Sequence, residues 1–369
     1  MNTKQLVKIL KNSISQNSFV NKVITKIEKH SSLPNTISIK YIRNLVKEQK
    51  QTDKSLLFGF INEAFSDRKR LPPSMTSLEE RKVLKYLTSK LYQGRGEIID
   101  LGSGVGGTVY PLALGLDRNQ LVSSKHQRIH AYDLFTPPRQ NIKSRGAKLY
   151  FSQKDDLDKN NFDCFRNSYL DIFQNNCEKY LNYIEIHDGN ITELSWNKKP
   201  IEIIHIDIAK NINIWRHIVE IFFDSLIPNK SIIIHQDFER ARLPWLMYSL
   251  GLMLPYIELL DPVVNGTLYC KLVKPLPQEI IDRLKLDNFS VEQKIQFITD
   301  VISAMKNLKF YGSINYELMQ DLKDLAIAYV YFYAGEKKQS LLELERKKSK
   351  KYLVRRFPEF FKEIEKSLT

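Results

Sequence analysis

Cysteine is scarce. The 369 residues contain three, Cys164, Cys177 and Cys270. None lies in a C-x-x-C pair, which excludes a disulfide framework and a cysteine-based zinc site and points to a reducing compartment, the cytoplasm. Long apolar runs are missing too. No stretch approaches the roughly 18–20 apolar residues of a membrane span, so a membrane-spanning chain is excluded as an expectation. The opening Met1-Asn2-Thr3-Lys4-Gln5 lacks the apolar core of a secretory leader. What is present is apolar and aromatic. A hydrophobic share of 43% with 18 Tyr and 19 Phe predicts a globular core, and the length suits one large domain or two ordinary ones.

The net charge is +14, and its distribution is uneven. Residues 1–75 hold about 14 basic and 5 acidic side chains, roughly +9, and residues 335–369 about 11 and 6, roughly +5. The middle is close to neutral. A basic excess permits contact with nucleic acid or acidic surfaces. Here it lies in the flanks, where solvated helix faces explain it more simply. The run Arg346-Lys347-Lys348-Ser349-Lys350-Lys351, followed by Arg355-Arg356, reads the same way.

The organising stretch is Glu97-Ile98-Ile99-Asp100-Leu101, which runs straight into Gly102-Ser103-Gly104-Val105-Gly106-Gly107-Thr108. A strand, a glycine turn and a helix start form the nucleotide-binding corner of an open α/β sheet. The glycines do not follow the G-x-G-x-x-G spacing of dinucleotide enzymes. Asp100 before the first glycine suits a positively charged or zwitterionic ligand better than a pyrophosphate. The candidate cofactor-binding residues here are Asp100, Gly102, Ser103, Gly104, Gly106 and Thr108.

Strands and helices alternate from there. Helical spacing covers 1–75 in short pieces, ended by Leu71-Pro72-Pro73, and a helix over 77–91 opens with Ser77 or Thr76 as its N-cap. After the glycine corner come a helix over 108–116 and a strand over 128–133 ending in Asp133. Such a carboxylate takes ribose hydroxyls in nucleotide-binding sheets. A loop to 157 and a helix over 162–181 follow. The next strand, 183–188, ends at Asp188-Gly189-Asn190, placed for an adenine. The strand 201–207 is nearly all apolar, as a strand buried on both faces is, and ends in Asp207. A helix over 212–226, a strand over 231–235 and a helix over 241–252 come next. Strands over 256–260 and 267–273 close the sheet, the pair reversing at Gly266. The fold class is α/β, a doubly wound Rossmann-like sheet, mostly parallel with an antiparallel last strand. It occupies 76–274, between helical regions at 1–75 and 275–369. The C-terminal helices are expected over 277–284, 290–308, 316–334 and 338–366. Their aromatic cluster at Tyr329, Tyr331, Phe332 and Tyr333 reads as core or partner-facing, with self-association through the terminal helices as the expected assembly.

Asp-Leu-Gly-Ser-Gly-Val-Gly-Gly-Thr (100–108), His-Ala-Tyr-Asp-Leu-Phe (130–135), Asp-Gly-Asn-Ile-Thr-Glu (188–193), Ile-His-Ile-Asp (204–207) and Ile-His-Gln-Asp-Phe (234–238) fall in the order of class I S-adenosylmethionine-dependent methyltransferases. More narrowly, residues 76–273 resemble the macrocin O-methyltransferase family, which methylates sugar hydroxyls. The resemblance implies S-adenosylmethionine as cofactor and a small-molecule or glycan acceptor. It also implies a magnesium ion held by Asp207 and Asp237, with Gln236 standing where the family has a second acid. Ala209 stands where the family has its second acid after the fourth strand. A hydroxyl acceptor needs a base, and Asp207 and Asp237 are the candidates. A lone strand histidine is more often a core residue, but His235 stands as a further candidate base. Arg240, Arg242 and Trp245 either line the acceptor pocket or, for Trp245, dock a helix. A nucleic-acid acceptor is the alternative that the basic flanks raise. Asp207-Ile208-Ala209-Lys210, in place of the Asn/Asp-Pro-Pro-Tyr/Phe motif of amino-methylating enzymes, weighs against it. A non-catalytic scaffold is the third reading, opposed by the intact glycine corner.

Overall fold

The computed structural model describes residues 56–65, 71–136 and 168–348, with single positions beyond. The helices expected before residue 56, the loop over 137–157 and the end of the last helix lie outside those residues. Helix α1 (Leu78–Tyr86) starts at a capping box. The Ser77 hydroxyl accepts from the Glu80 backbone and Glu80 accepts from the Ser77 backbone. Strand β1 (Glu97–Leu101) leads through the glycine corner into α2 (Val109–Asp117). Then come β2 (Ile129–Asp133), α3 (Leu170–Cys177), β3 (Ile184–Asp188), β4 (Ile201–Ile206), α4 (Ile212–Phe222), β5 (Ile232–His235) and α5 (Pro244–Met253).

The sheet closes with β6 (Ile257–Val264) and β7 (Thr267–Leu272), in the order β3-β2-β1-β4-β5-β7-β6-β8. The first five strands pair in parallel, and β7 runs antiparallel between β5 and β6. This is the doubly wound, mostly parallel sheet that the sequence predicts. Strand β8 (Phe310–Tyr311), parallel to β6, is an addition that periodicity does not reveal. Strand β6 also runs beyond its predicted end, through Asp261-Pro262, where its register with β7 shifts.

Alternation along the strands divides the core into two layers. Ile98, Ile129, Ala131, Ile203 and Ile234 meet α1, α2 and α3 on one face. Ile99, Leu101, Tyr132, Ile204, Ile206 and Ile233 meet α4 and α5 on the other. Helix α4 turns Trp215, Ile218, Val219 and Phe222 inward at helical spacing. Each such burial stabilises by about 1.5–3 kcal/mol relative to exposure. Helix α5 has no polar face to spare, because all ten of its residues are buried. Its outer side is covered by α7 (Val291–Ala304) and α8 (Tyr316–Tyr333), which follow α6 (Gln278–Leu286) and precede α9 (Lys337–Lys348). Gly251 of α5 lies against the Phe297 carbonyl so closely that any Cβ there would collide with it. The helices after residue 277 therefore share one core with the sheet. No described helix is long and apolar enough to cross a membrane.

Candidate functional site at the carboxyl ends of the central strands

Strands β1 and β4 are neighbours, and the chain departs from them in opposite directions. That makes their carboxyl ends the topological switch point, where ligands bind in such sheets. The glycine corner lies there. Gly102, Gly104 and Gly106 adopt φ of 104°, 52° and 92°, and the first and last are in the region that side chains resist. A Cβ at Gly102 would stand 2.7 Å from Ile208 and 3.3 Å from Asp207 Cβ, so the corner touches the end of β4 directly.

The corner is fastened to β2. Gly102 N–H donates to the Tyr132 carbonyl at 2.9 Å, and Gly104 N–H to Asp133 Oδ2 at 2.8 Å. Asp133 Oδ1 accepts from Phe135 N–H at 2.8 Å and from the Tyr169 hydroxyl at 2.6 Å. Three of about four lone-pair sites are thus filled. Burial pushes the Asp133 pKa up, against the pull of those three donors. At the end of β3, Gly189 N–H donates to the Asp133 carbonyl at 3.0 Å. Asp188 is exposed, and Asn190 caps the short turn Ile191–Glu193 by accepting from Thr192 N–H.

Three expected side-chain ligands are turned inward. Asp100 is fully buried, accepting from the Thr108 hydroxyl at 2.9 Å and facing His205 Nδ1 at 2.7 Å. Buried Ser103 donates to the Asp100 carbonyl at 3.2 Å. Asp100, Ser103 and Thr108 therefore shape the corner and do not present polar atoms at its mouth. Burial opposes a charge on His205, but the hydrogen bond and charge of Asp100 outweigh it and its pKa is raised.

The polar chain continues inward. His205 Nε2 faces Gln236 Oε1 at 3.4 Å, and Gln236 Nε2 donates to Glu80 Oε1 at 2.9 Å. The Thr267 hydroxyl also donates to Glu80 and reaches Gln236 Oε1 at 3.2 Å. Gln236 is committed to this network, which corrects its expected place as a metal ligand.

Asp207 and Asp237 do come together, around a third residue that the sequence reading passed over. Lys210 Nζ stands 2.7 Å from Asp207 Oδ1 and pairs with Asp237 as well. Arg240 Nε holds Asp237 Oδ1 at 2.8 Å. Burial lowers the Lys210 pKa while Asp207 raises it, and the lowering prevails. A magnesium ion wants those carboxylate oxygens itself. With an ammonium already between them and Gln236 turned away, the residues do not fit the ion that the family resemblance implies. The signal for Lys210 was its place three residues after a strand-end acid.

His235 is corrected as well. It is fully buried on the sheet face opposite His205, 5.4 Å from the Trp215 ring, and neither ring nitrogen has a hydrogen-bond partner. Burial, then the nearby His205, pushes its pKa down to about 3. A neutral ring sealed beneath α4 does not serve as the base. Trp245 is buried and its Nε1–H donates to the Ala209 carbonyl at 2.9 Å, which docks α5. Arg240 is taken by Asp237, and exposed Arg242 offers its carbonyl to the Tyr333 hydroxyl. Of the three, Trp245 is buried while Arg240 and Arg242 are exposed.

The strand order and the glycine corner at its switch point define a doubly wound, Rossmann-like α/β sheet. No family model matches the chain, and no curated protein matches it. A solved structure from Pyrococcus horikoshii, provisionally assigned as an RNA methyltransferase, is similar at 12% identity with a TM-score of 0.30. The alignment covers 60% of this chain and 99% of that one.

Proposed function

We propose that the chain is an S-adenosylmethionine-dependent methyltransferase acting on a hydroxyl of a sugar, a glycan or another small natural product. The observation that carries this reading is the 102–106 loop, fastened to Asp133 at the switch point between β1 and β4. The cofactor's ribose hydroxyls suit Asp133, which keeps an acceptor site, and its adenine suits Asp188 and Asn190 at the end of β3. When bound, it supplies the methyl group. As the acceptor oxygen bonds to the methyl carbon, its O–H bond must break, and a base must take the proton. Asp207, partly exposed and touching the corner at Gly102, is that base. Lys210 fixes the position of Asp207 through their 2.7 Å ion pair. The acceptor class rests on the resemblance of residues 76–273 to sugar O-methyltransferases.

Calorimetric titration with S-adenosylhomocysteine tests the cofactor. Binding is expected, weakened at least tenfold by Asp133→Ala, and a folded protein that binds neither cofactor form ends the proposal. Asp207→Asn is expected to lower kcat by about 10²–10⁴ with cofactor binding retained. The basic flanks favour RNA as the second acceptor reading. Steeply salt-dependent RNA binding at physiological ionic strength would select it.

A further inference from the structure

We propose that His130, Glu185 and His187 form a site for one divalent transition-metal cation of the zinc class, clamping β3 to β2. The inference is independent of methyl transfer. His130 pairs with Glu185 in the β2–β3 register, and the two-residue period places His187 on the same sheet face. Ligand atoms of three residues converge. His130 Nδ1 lies 3.0 Å from His187 Nε2 and 3.5 Å from Glu185 Oε2, and His187 Nε2 lies 3.8 Å from Glu185 Oε1. A tetrahedral zinc ion with bonds of about 2.0–2.1 Å separates its ligand atoms by about 3.3 Å. One ligand atom from each residue lies within 4.8 Å of the other two, so small side-chain rotations bring the set to that spacing.

The rings are held ready. His187 stacks on Tyr132 with centroids 4.1 Å apart and 4° between planes, and Trp196 sets its edge against His130 at 4.8 Å. His130 is fully buried, and its second nitrogen, Nε2, faces Glu97 Oε2 at 3.8 Å. Neither of those two atoms has a hydrogen-bond partner. A carboxylate behind a ligating histidine is the usual orienting arrangement at metal sites. An imidazole pair accounts for the 3.0 Å contact, and the buried Glu97–His130 couple stands behind it at 3.8 Å. A cation between the rings displaces their shared hydrogen. If His130 carries it, that hydrogen moves to Nε2 and gives Glu97 its donor, with no change in the charge of the ring.

Two imidazoles and one carboxylate select zinc or cobalt over magnesium and calcium, which prefer oxygen ligands. Glu185 is 37% exposed and His187 19%, so solvent can supply the fourth ligand. Strand β3 is an edge strand whose last residue is Asp188, next to His187. A cation here pins the two strand ends that carry Asp133 and Asp188.

The test uses the full-length chain, stripped with a chelator and free of any affinity tag. Titration with zinc chloride is expected to show one saturable equivalent and a rise in Tm. Cobalt chloride is expected to give the intense visible bands of a four-coordinate ion. Glu185 and His187 are partly exposed, so Glu185→Gln and His187→Gln should leave the circular dichroism of the metal-free protein unchanged. Each is expected to weaken zinc at least tenfold and remove the rise in Tm, while exposed His126→Gln changes neither. The proposal is overturned by absent saturable uptake, by stoichiometric binding that persists in the double variant, or by a six-coordinate cobalt spectrum.

Discussion

The rim between β4 and β5 and the edge between β2 and β3 both gather carboxylates with nitrogen bases, but at the rim an ammonium already bridges the carboxylates. At the rim, Asp207 and Asp237 share Lys210, Arg240 takes the remaining side of Asp237, and the buried chain from Asp100 to Glu80 bonds at every link. At the edge, Glu185 straddles two histidines beyond hydrogen-bond distance, and Glu97 Oε2 and His130 Nε2 stay unpaired. Buried polar groups are normally satisfied. Charges that already neutralise each other leave little for an added cation to gain, whereas Glu185, with no cationic side chain against it among the described residues but two imidazoles, leaves more.

The largest expected effect that breaks this comparison is Asp100→Asn. It leaves fully buried His205 without its counter-charge and should cost about 3–5 kcal/mol in chemical denaturation. The sign with pH follows from the raised His205 pKa. The pair's stabilisation is complete below the unfolded value of about 6.5 and is lost as pH rises through the higher folded value. Asp100→Asn should abolish that loss.

The acid limb runs the other way. Burial lowers His187 to about 4 and His235 to about 3. The stability each contributes is present above about 6.5 and lost as pH falls through those values, at up to about 1.4 kcal/mol per pH unit per group. His235→Phe should flatten the limb, and His187→Gln should flatten its upper part, as read from Tm against pH.

Lys210→Met sharpens the contrast. Removing a partly exposed ammonium from two carboxylates should cost about 1–2 kcal/mol, between the values for surface and buried pairs. The same change should turn the rim into a magnesium site, seen as a calorimetric signal that the unaltered protein lacks. The smallest effect belongs to Trp245→Phe, which deletes the bond to the Ala209 carbonyl. A loss of about 1 kcal/mol with unchanged acceptor KM is expected, and a large rise in KM would return Trp245 to the acceptor pocket.

The sheet was legible where burial leaves a plain pattern. Strands β1 and β4 read directly because their isoleucines and leucine crowd both faces and every residue is buried. The glycine corner read as well, since its positive φ values demand glycine. Strand β8 did not, because two residues carry no period and their partner strand lies far back in the chain. For the site, strand-end acids could be named from the sequence, but not what neutralises them. Lys210 and a metal ion make the same demand on Asp207 and Asp237, and only geometry tells them apart. Alternation placed His235 on a face, yet Trp215, the residue that seals it, comes from a helix the strand pattern does not describe.

The Glu80 carboxylate ties the start of α1 to Gln236 and Thr267 across 156 and 187 residues of sequence, and Asp100 reaches His205 across 105. Contacts so distant along the chain form late, because the intervening chain must be ordered first. During synthesis the glycine corner is made early, but buried Asp100 lacks His205 until β4 is in place, and Glu80 lacks Thr267 until β7 has left the ribosome and entered the sheet between β5 and β6. A chain truncated before Thr267 would hold every residue of the corner and still leave Glu80 without one of its partners.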